Sequence, residues 1–415
     1  MKFNKWTLGL AAVGAVSLAS AVRADEAKII PLQTTLANTT ISGYVDTAVQ
    51  YNAGNQSSSS TQPPGLNSAK ADQFSLNDID ITIDKPMDST PWAAGYHADF
   101  NLGTDAVGYG FGATGNAGTA VRQAYVVLNT PVGNGISWKM GVQDDIIGYE
   151  GNTDGSNPNY TRSVGYDVEP TTLLGLVGTY QISSMFTVQA GIVDSTGYYS
   201  PVLPGQVNTG GVNVGTNSIG GSEISAKSYV GSVAFTAPDS WGFLKGGTAN
   251  LGIVANPEKY GQYNYYAGFT IPTPLNILKV GGSFDLISVN DSRKTGTGNN
   301  QNDSGWIVGG YANIQATDKL AFNLRGEVYD LKGTLMNPYN SVPSGTSSVA
   351  TAGNADGVGE ELTATVQYNL WANVTSRAEV RWDHSNLGYP FGVPGSSGNG
   401  VSDSFILALN VIYSF

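Results

Sequence analysis

Residues 401–415 read VSDSFILALNVIYSF, and this stretch decides the fold. Large apolar or aromatic residues take every second position from Phe405 to Phe415, whereas most residues between them are small or polar. A period of two places alternate side chains on opposite faces of a β-strand. Because a strand at the end of the chain would leave a hydrogen-bonding edge open, we expect it to pair with the first strand and to close a barrel. The alternative is a late edge strand of a soluble sheet.

The same alternation continues along the chain and predicts about sixteen strands. The clearest example, Phe74–Asp84, reads FSLNDIDITID, with isoleucines on one face and carboxylates on the other. This pattern suits a strand between lipid and water, whereas a calcium site is disfavoured because same-face residues lie about 7 Å apart. The predicted strands are Thr40–Tyr51, Phe74–Asp84, Trp92–Leu102, Ala120–Thr130, Ile136–Asp145, Thr171–Ile182, Met185–Asp194, Ser225–Thr236, Gly246–Ala255, Gln262–Ile271, Asn276–Val289, Ser304–Gln315, Leu320–Asp330, Glu360–Tyr368, Ala372–His384 and Phe405–Phe415.

The connections between these strands alternate in length, with one exception at Asn256–Gly261. The short turns are Lys85–Pro91, Pro131–Gly135, Ser183–Ser184, Ala237–Lys245, Pro272–Leu275, Thr317–Asp318 and Leu370–Trp371. The long polar loops are Asn52–Asp72, Gly103–Thr119, Ile147–Pro170, Ser195–Ile224, Asn290–Asp303, Leu331–Gly359 and Ser385–Val401. Short periplasmic turns and long extracellular loops are typical of outer-membrane barrels. The pattern therefore predicts an all-β fold, a transmembrane antiparallel up-and-down β-barrel of about 16 strands.

The first residues predict export. Residues 1–24 have two early lysines, an uncharged and mostly apolar run, and small residues before the cleavage site, which is typical of a signal peptide. A short periplasmic lead-in, residues 25–38, would precede the barrel domain, residues 39–415. The alternative is a membrane anchor that stays attached.

Composition and charge exclude several classes of protein. Charged residues make up 13% of the chain, against roughly 25% in soluble domains. After cleavage, 17 basic residues would face 32 acidic ones, a net charge of −15, which disfavours nucleic acid as a partner. This negative charge would mildly favour cations in any aqueous passage that the acidic residues line. The absence of cysteine excludes disulfides and thiolate chemistry.

The stretch Trp138–Asp194 resembles a known family. The resemblance rests on GVQ at 141–143, GYE at 148–150, NYTRS at 159–163 and DVEPT at 167–171, together with ISGYVD at 41–46 and QAY at 123–125. These pieces are similar to those of the OmpL-like family of β-barrel porins. The resemblance implies a porin in the bacterial outer membrane and identifies no individual functional residues. Phe415 with Tyr413 also resembles the C-terminal signal of outer-membrane barrels, which implies barrel-assembly machinery as a partner.

A barrel of sixteen strands is wide enough for an aqueous channel, so something must narrow it. The best candidate is the third long loop, Ile147–Pro170, by analogy with general porins, whose third outer loop folds inward. Its candidate constriction residues are Tyr149, Glu150, Asp154, Tyr160, Arg162, Tyr166, Asp167 and Glu169. An acidic constriction opposite basic wall residues would create a transverse field that orients polar solutes.

Strand period also selects residues of the lumen wall. The candidates are Asp78, Asp80, Asp99, Lys139, Arg325, Glu327, Arg377, Glu379, Arg381 and Asp383. One phase of its strand would direct Arg122 toward lipid, so we expect either a bulge or a position at the membrane edge. The alternative to a role in selectivity is a wall of paired charges that merely stays wet.

We therefore predict an outer-membrane porin that passes small hydrophilic solutes, with outer-membrane lipid around it and a homotrimer as the expected assembly by analogy. The alternatives are a solute-specific channel, such as a sugar channel with Tyr149, Tyr160 and Tyr166 in one line, and a structural or adhesive barrel without transport. A hydrolase would require His97 or His384 beside a serine and a carboxylate or amide. Since nothing in the sequence marks such a site or a metal site, we predict no catalysis, cofactor or metal.

Overall fold

The computed structural model describes residues 38–53, 63, 66, 70–106, 109–110, 119–198, 227–257, 262–290, 302–331, 357–386 and 402–415. The predicted signal peptide, nearly all of the predicted lead-in and large parts of six predicted long loops lie outside these described residues. The same holds for 258–261 in the short exceptional connection. The predictions made for those residues stay predictions.

Sixteen antiparallel strands form one closed barrel, in which each strand pairs with its neighbours in the chain. The strands are β1 Thr40–Ala53, β2 Gln73–Lys85, β3 Ala94–Leu102, β4 Thr119–Thr130, β5 Ile136–Asp144, β6 Pro170–Gln181, β7 Phe186–Tyr198, β8 Ser228–Thr236, β9 Thr248–Asn256, β10 Gln262–Pro272, β11 Leu278–Asn290, β12 Asn302–Gln315, β13 Leu320–Leu331, β14 Gly357–Trp371, β15 Val374–Ser385 and β16 Asp403–Ser414. A further two-residue strand, Tyr109–Gly110, pairs with β4. The predicted fold class is confirmed.

The last strand closes the barrel against the first. β16 pairs with β1 along ten residues, from Tyr44 opposite Ser414 to Ala53 opposite Phe405. The backbones of Gly43 and Phe415 extend this pairing with reciprocal N–H to C=O bonds of 3.1 and 2.9 Å. Closure leaves no free edge, which a sheet surrounded by lipid requires. The closing pair predicted from residues 401–415 is therefore confirmed.

Alternate side chains of β16 face opposite sides of the wall. Leu407 and Leu409 are 51% and 50% exposed on the outside, whereas Ile406 and Asn410 are 1% exposed on the inside. Trp92 and Trp371 are 74% and 72% exposed beside short turns, which is where an aromatic girdle lies. Within the described part of the chain, no helix has the length and apolar character to cross a membrane.

The predicted turn at Leu370–Trp371 is wrong by two residues. β14 continues to Trp371, and β15 begins at Val374. The turning residue Asn373 has a φ of 67°, a left-handed conformation that asparagine tolerates better than most residues. A register shift between Asn369 and Trp371 marks a β-bulge, which interrupts the alternation from which the strand end was predicted.

Candidate functional site

The connection between β5 and β6, residues 145–169, lies inside the barrel, and we call it the inner segment. All of its residues from 157 to 169 are buried, and only Gly155 is exposed. Its hydrogen bonds reach inward-facing side chains of strands around the wall. They include Tyr44 of β1, Asn250 of β9, Thr270 of β10, Asn323 of β13, Thr365 of β14 and Glu379 of β15. The inner segment therefore crosses the lumen.

Local hydrogen bonds give the inner segment a compact shape. The side-chain amide of Asn157 donates to the carbonyl oxygens of Gly151 and Thr153 at 2.8 and 2.9 Å. Its Oδ1 accepts from the Gly151 N–H at 2.9 Å. Farther along, Ser163 caps the short helix α1, Val164–Val168, because its Oγ accepts from the Tyr166 N–H at 3.0 Å. These bonds satisfy some of the segment's backbone groups, and other backbone groups bond to the wall.

The beginning of the inner segment packs on an apolar part of the wall, and we call this contact the apolar anchor. On the segment side it comprises Ile146, Ile147 and Tyr149. The wall side comprises Leu173, Val177, Val193, Val230, Val254, Tyr266 and Tyr311. The rings of Tyr149 and Tyr311 stack with their centroids 3.8 Å apart. Apolar side chains can face the lumen here because the inner segment removes them from water.

Charged wall residues hold the middle of the inner segment, and we call this contact the polar anchor. Arg377 of β15 donates through Nη1 to the carbonyl oxygens of Asp154, Asn157 and Asn159 at 3.2, 2.9 and 2.9 Å. Its side chain is 2% exposed. The guanidinium therefore binds the backbone of the inner segment.

Two further arginines bind the same backbone. Arg325 of β13 donates to the carbonyl oxygen of Thr161 at 2.7 Å, and Arg381 of β15 donates to that of Arg162 at 2.7 Å. Arg325 also donates to Glu150 of the inner segment at 2.8 Å. Both wall arginines are fully buried. Arg325, Arg377 and Arg381, predicted as lumen-wall residues, thus contact the inner segment directly.

Two wall carboxylates bind the N–H groups of the inner segment. Glu379 accepts from the Tyr160 and Thr161 N–H groups at 2.6 and 3.0 Å. Glu327 accepts from the Val164 and Gly165 N–H groups at 2.6 and 3.1 Å, at the start of α1. Charge-assisted bonds of this kind are stronger than neutral ones. The polar anchor therefore binds both donors and acceptors of one backbone stretch.

Several charges of the inner segment and the polar anchor are paired at contact distance. Arg162 lies 2.7 Å from Asp154 within the inner segment, and Arg381 lies 2.6 Å from Asp383 on the wall. Glu150, besides its bond to Arg325, accepts from the Ser163 N–H at 2.8 Å. A transverse field needs opposite charges on two sides of an open passage. These charges instead touch one another and are buried.

A second group of charged residues lies on β2, β3, β4 and β5. A register shift between Asp99 and Phe100 places a β-bulge at Arg122, and this bulge turns Arg122 inward. A bulge was one of the two explanations expected for Arg122 from the sequence. Arg122 bonds to Asp99 and lies 3.7 Å from Asp80 and 3.2 Å from Asp144. These carboxylates therefore surround a buried cation.

Tyr44 of β1 connects this group to the inner segment. Its hydroxyl donates to Asp78 at 2.6 Å and accepts from the Asp154 N–H at 3.3 Å. Asp78 also accepts from the Asn101 amide at 2.5 Å. The alternation of β1 puts Tyr44 on the same face as Asp46 and Gln50, but it gives no indication of these partners.

The three tyrosines expected to form one line along the lumen are buried at separate places. Tyr149 belongs to the apolar anchor, whereas the Tyr160 ring lies under the ammonium of Lys70, 4.7 Å from its centroid. Tyr166 donates from its hydroxyl to Asn152 at 2.7 Å. No exposed aromatic track results from these three rings.

The end of the inner segment is acidic. Asp167 is buried within α1, and Glu169 is 3% exposed. Burial raises the pKa of Glu169 well above its usual value, and the neighbouring carboxyl groups of Asp285, Asp145 and Glu150 raise it further. A side-chain hydrogen bond with Asp285 of β11 also raises the pKa of Glu169.

Lys139 lies apart from both anchors. It is half-buried on the inward face of β5, near the short-turn end, with its ammonium 4.5 Å from the Tyr125 ring centroid. The periodicity of β5 gave no indication of this contact with Tyr125.

Sequence reasoning missed several residues of the polar anchor. Glu361 of β14 accepts from Arg325 at 3.1 Å, and Asn159 donates to Thr365 at 2.7 Å. The alternation of β14 would have placed Glu361 and Thr365 on one face. Nothing in the sequence marks Asn159, because its partner is 206 residues away.

Neither histidine lies in a catalytic arrangement of described residues. His97 Nδ1 lies 2.9 Å from Asp84 Oδ1, and its Nε2 lies 3.4 Å from the Gln123 amide nitrogen. His384 Nδ1 lies 2.9 Å from Asp403. The nearby serine hydroxyl, that of Ser402, donates to Asp403 instead of contacting the imidazole.

Solved structures of outer-membrane channels share this fold. The outer membrane channel DcaP of Acinetobacter baumannii is 9% identical with a TM-score of 0.55, over 92% of this chain and 99% of that one. OmpT of Vibrio cholerae is 12% identical with a TM-score of 0.53, over 93% and 100%. An anion-selective porin from Comamonas acidovorans is 12% identical with a TM-score of 0.51, over 91% and 99%. At these identities the likeness concerns the fold alone.

The family is shown by sequence. No curated protein matches the chain. The sequence profile of the family described as "Putative beta-barrel porin-2, OmpL-like" matches residues 38–415, which include the whole barrel. The resemblance noted from residues 138–194 is confirmed. The chain therefore belongs to the OmpL-like beta-barrel porin-2 family and is a porin-like barrel of the bacterial outer membrane, not an enzyme.

Proposed function

We propose that this barrel is a water-filled channel for passive diffusion of small hydrophilic solutes and ions, and that the inner segment narrows it. The observation that carries the proposal is the double attachment of the inner segment inside the lumen, through the apolar and polar anchors. A segment that is fixed on two sides sets a constant cross-section. Selection would then depend on solute size, without turnover.

Ion preference is a separate question. The mild cation preference expected from the net charge of the chain depends on carboxylates that line the passage. Four of the five carboxylates of the inner segment are buried, namely Glu150, Asp154, Asp167 and Glu169, and Glu150 and Asp154 bind arginines. We propose that the charges of the polar anchor position the inner segment and contribute little to ion preference.

Two alternatives make different demands on the structure. A sugar channel with a tyrosine track would need Tyr149, Tyr160 and Tyr166 on the surface of the passage, and all three rings are buried. A structural or adhesive barrel would need a blocked lumen. General diffusion is supported better because it requires only the polar wall and a fixed constriction.

Planar bilayer recordings test the proposal. Purified, folded protein should insert with stepwise conductance, and liposomes that contain it should swell in small sugars faster than in large ones. Folded protein without conductance steps would contradict the channel and would support the structural alternative.

We further propose that the chain is recognised by barrel-assembly machinery through β16 and that it forms a homotrimer. The first proposal is supported by Phe415, which completes the closing strand pair, and the second by the trimer form of Vibrio cholerae OmpT, which has the same fold with a TM-score of 0.50. Removal of Phe415 should slow assembly into the outer membrane. Light scattering in detergent should give three chains per particle.

A further inference from the structure

A cavity of about 460 Å³ opens at the short-turn end of the barrel, away from the inner segment. It lies between the turn that joins β2 to β3 and the turn that joins β4 to β5, and its size falls within the range of small-molecule sites. From its polar groups we infer that this cavity binds a small hydroxylated organic anion, such as a sugar acid, with Lys139 and Asn129 as the binding residues. The inference deepens the proposed channel function, because it names a class of solute.

Lys85, Asp84 and Asp88 also line the cavity, but Lys85 and Asp88 offset each other's charge and Asp88 accepts from the Thr90 N–H. The cation available to a ligand is Lys139. Its ammonium contacts the face of the Tyr125 ring, and Asp84 and Asp144 act on it only at longer range. Among the described residues, no carboxylate lies at ion-pair distance from it. An ammonium has three N–H donors, and an aromatic face satisfies these less well than an anionic oxygen does. A carboxylate that enters the cavity would supply the missing acceptor.

Neighbouring side chains hold Lys139 and its platform in place. The Tyr125 ring stacks on His97 with centroids 5.1 Å apart, and Asp84 Oδ1 lies 2.9 Å from His97 Nδ1. All three residues line the cavity. Asp84 is therefore engaged by His97, and its charge is partly offset when His97 is protonated. A cationic ligand would have to compete with that imidazole, so an anion is favoured.

A second polar group points to a hydroxyl on the ligand. Asn129 lines the cavity, and its amide nitrogen donates to the Pro91 carbonyl oxygen at 2.8 Å, which fixes the orientation of the side chain. Its Oδ1 is buried and accepts no hydrogen bond from the described residues. Buried acceptors are nearly always satisfied, by protein, water or ligand. A hydroxyl group of the ligand can donate a hydrogen bond to this oxygen, whereas an ionised carboxylate has no hydrogen to donate. The combination of an ammonium and an unsatisfied acceptor therefore selects a hydroxy acid.

The test is a titration of the purified full-length protein in detergent by calorimetry. Gluconate, which has both groups, should bind saturably and more tightly than acetate or sorbitol, each of which lacks one. Lys139→Met should weaken gluconate binding by about tenfold, the worth of one charge-assisted hydrogen bond. Lys279→Met is the matched control, because Lys279 is also half-buried on the inward face near the short turns but does not line the cavity.

The outcomes separate this inference from the channel proposal. Equal weakening by Lys139→Met and Lys279→Met would show general charge attraction and would overturn the site. So would binding in which gluconate is no tighter than acetate or sorbitol. Heat-dependent gel mobility establishes that each variant is folded. Saturable gluconate binding without bilayer conductance would contradict the channel and support the binding site. Conductance without gluconate binding would support the channel and contradict the binding site.

Discussion

The two anchors of the inner segment use opposite chemistry for one task. The apolar anchor packs Ile146, Ile147 and Tyr149 on valine, leucine and tyrosine side chains of the wall. The polar anchor binds backbone carbonyl and N–H groups with arginines and glutamates that are almost fully buried. Apolar packing is nondirectional and tolerates small shifts, whereas the polar bonds fix direction and register. This difference indicates that charged residues on the wall of a channel can hold an inner segment in position instead of selecting ions.

Breaking the polar anchor should have the largest effect. Arg325→Ala would leave Glu150 buried without its cation and would remove the closer of the two arginines beside Glu361, at a cost of about 3–5 kcal/mol. We expect a lower unfolding temperature in detergent and larger, noisier conductance steps, because the inner segment would leave the wall. The control is Lys319→Ala, which removes one positive charge from an exposed turn. Equal changes in the two variants would contradict the polar anchor.

Weakening the apolar anchor should have a smaller effect. Ile147→Ala removes part of a buried side chain, at a cost of about 2 kcal/mol. We expect a modest loss of stability and little change in conductance, since the polar anchor would still hold the segment. The control, Ile192→Ala, removes the same atoms from the outer face, where the side chain is 52% exposed. If Ile147→Ala changed the conductance more than Arg325→Ala does, the apolar anchor would be the more important of the two.

The smallest effect should be a pH dependence at the end of the inner segment. Because burial raises the pKa of Glu169 above its usual 4.5, the folded state binds the proton more tightly than the unfolded state. Stability should therefore fall as pH rises above about 4.5 toward the raised pKa. Glu169→Gln should flatten this part of the melting-temperature profile, and the exposed Glu360→Gln should not. An unchanged slope in Glu169→Gln would show that other groups carry the pH dependence.

The strands could be predicted because membrane walls impose a strict local pattern. A residue such as Leu409 must face lipid, so its neighbours must face the lumen, and the chain shows this at every second position. The prediction failed where local geometry departs from the pattern. The bulge beside Trp371 and the left-handed Asn373 moved one turn by two residues.

The partners in the lumen could not be predicted in the same way. Periodicity placed Arg377 on the inner face, but its carbonyl partners are 218 to 223 residues away. Periodicity also suggested that acidic and basic groups would oppose one another across water, whereas Arg325 and Glu150 are in contact. The local rules that set the strands carry no information about where a long connection folds back.

A double-cysteine variant tests most directly whether the inner segment is fixed against the wall. The chain has no cysteine, and Nδ2 of Asn159 lies 2.7 Å from Oγ1 of Thr365, so cysteines at these two positions would lie within reach of a short, reducible bis-methanethiosulfonate cross-linker. Asn159→Cys with Thr365→Cys should cross-link in the folded channel, and the conductance should be the same before and after reduction. Asn159→Cys with Val366→Cys should not cross-link, because Val366 faces outward. Failure of the first pair to cross-link in folded protein, or a conductance that changes on reduction, would contradict a fixed inner segment.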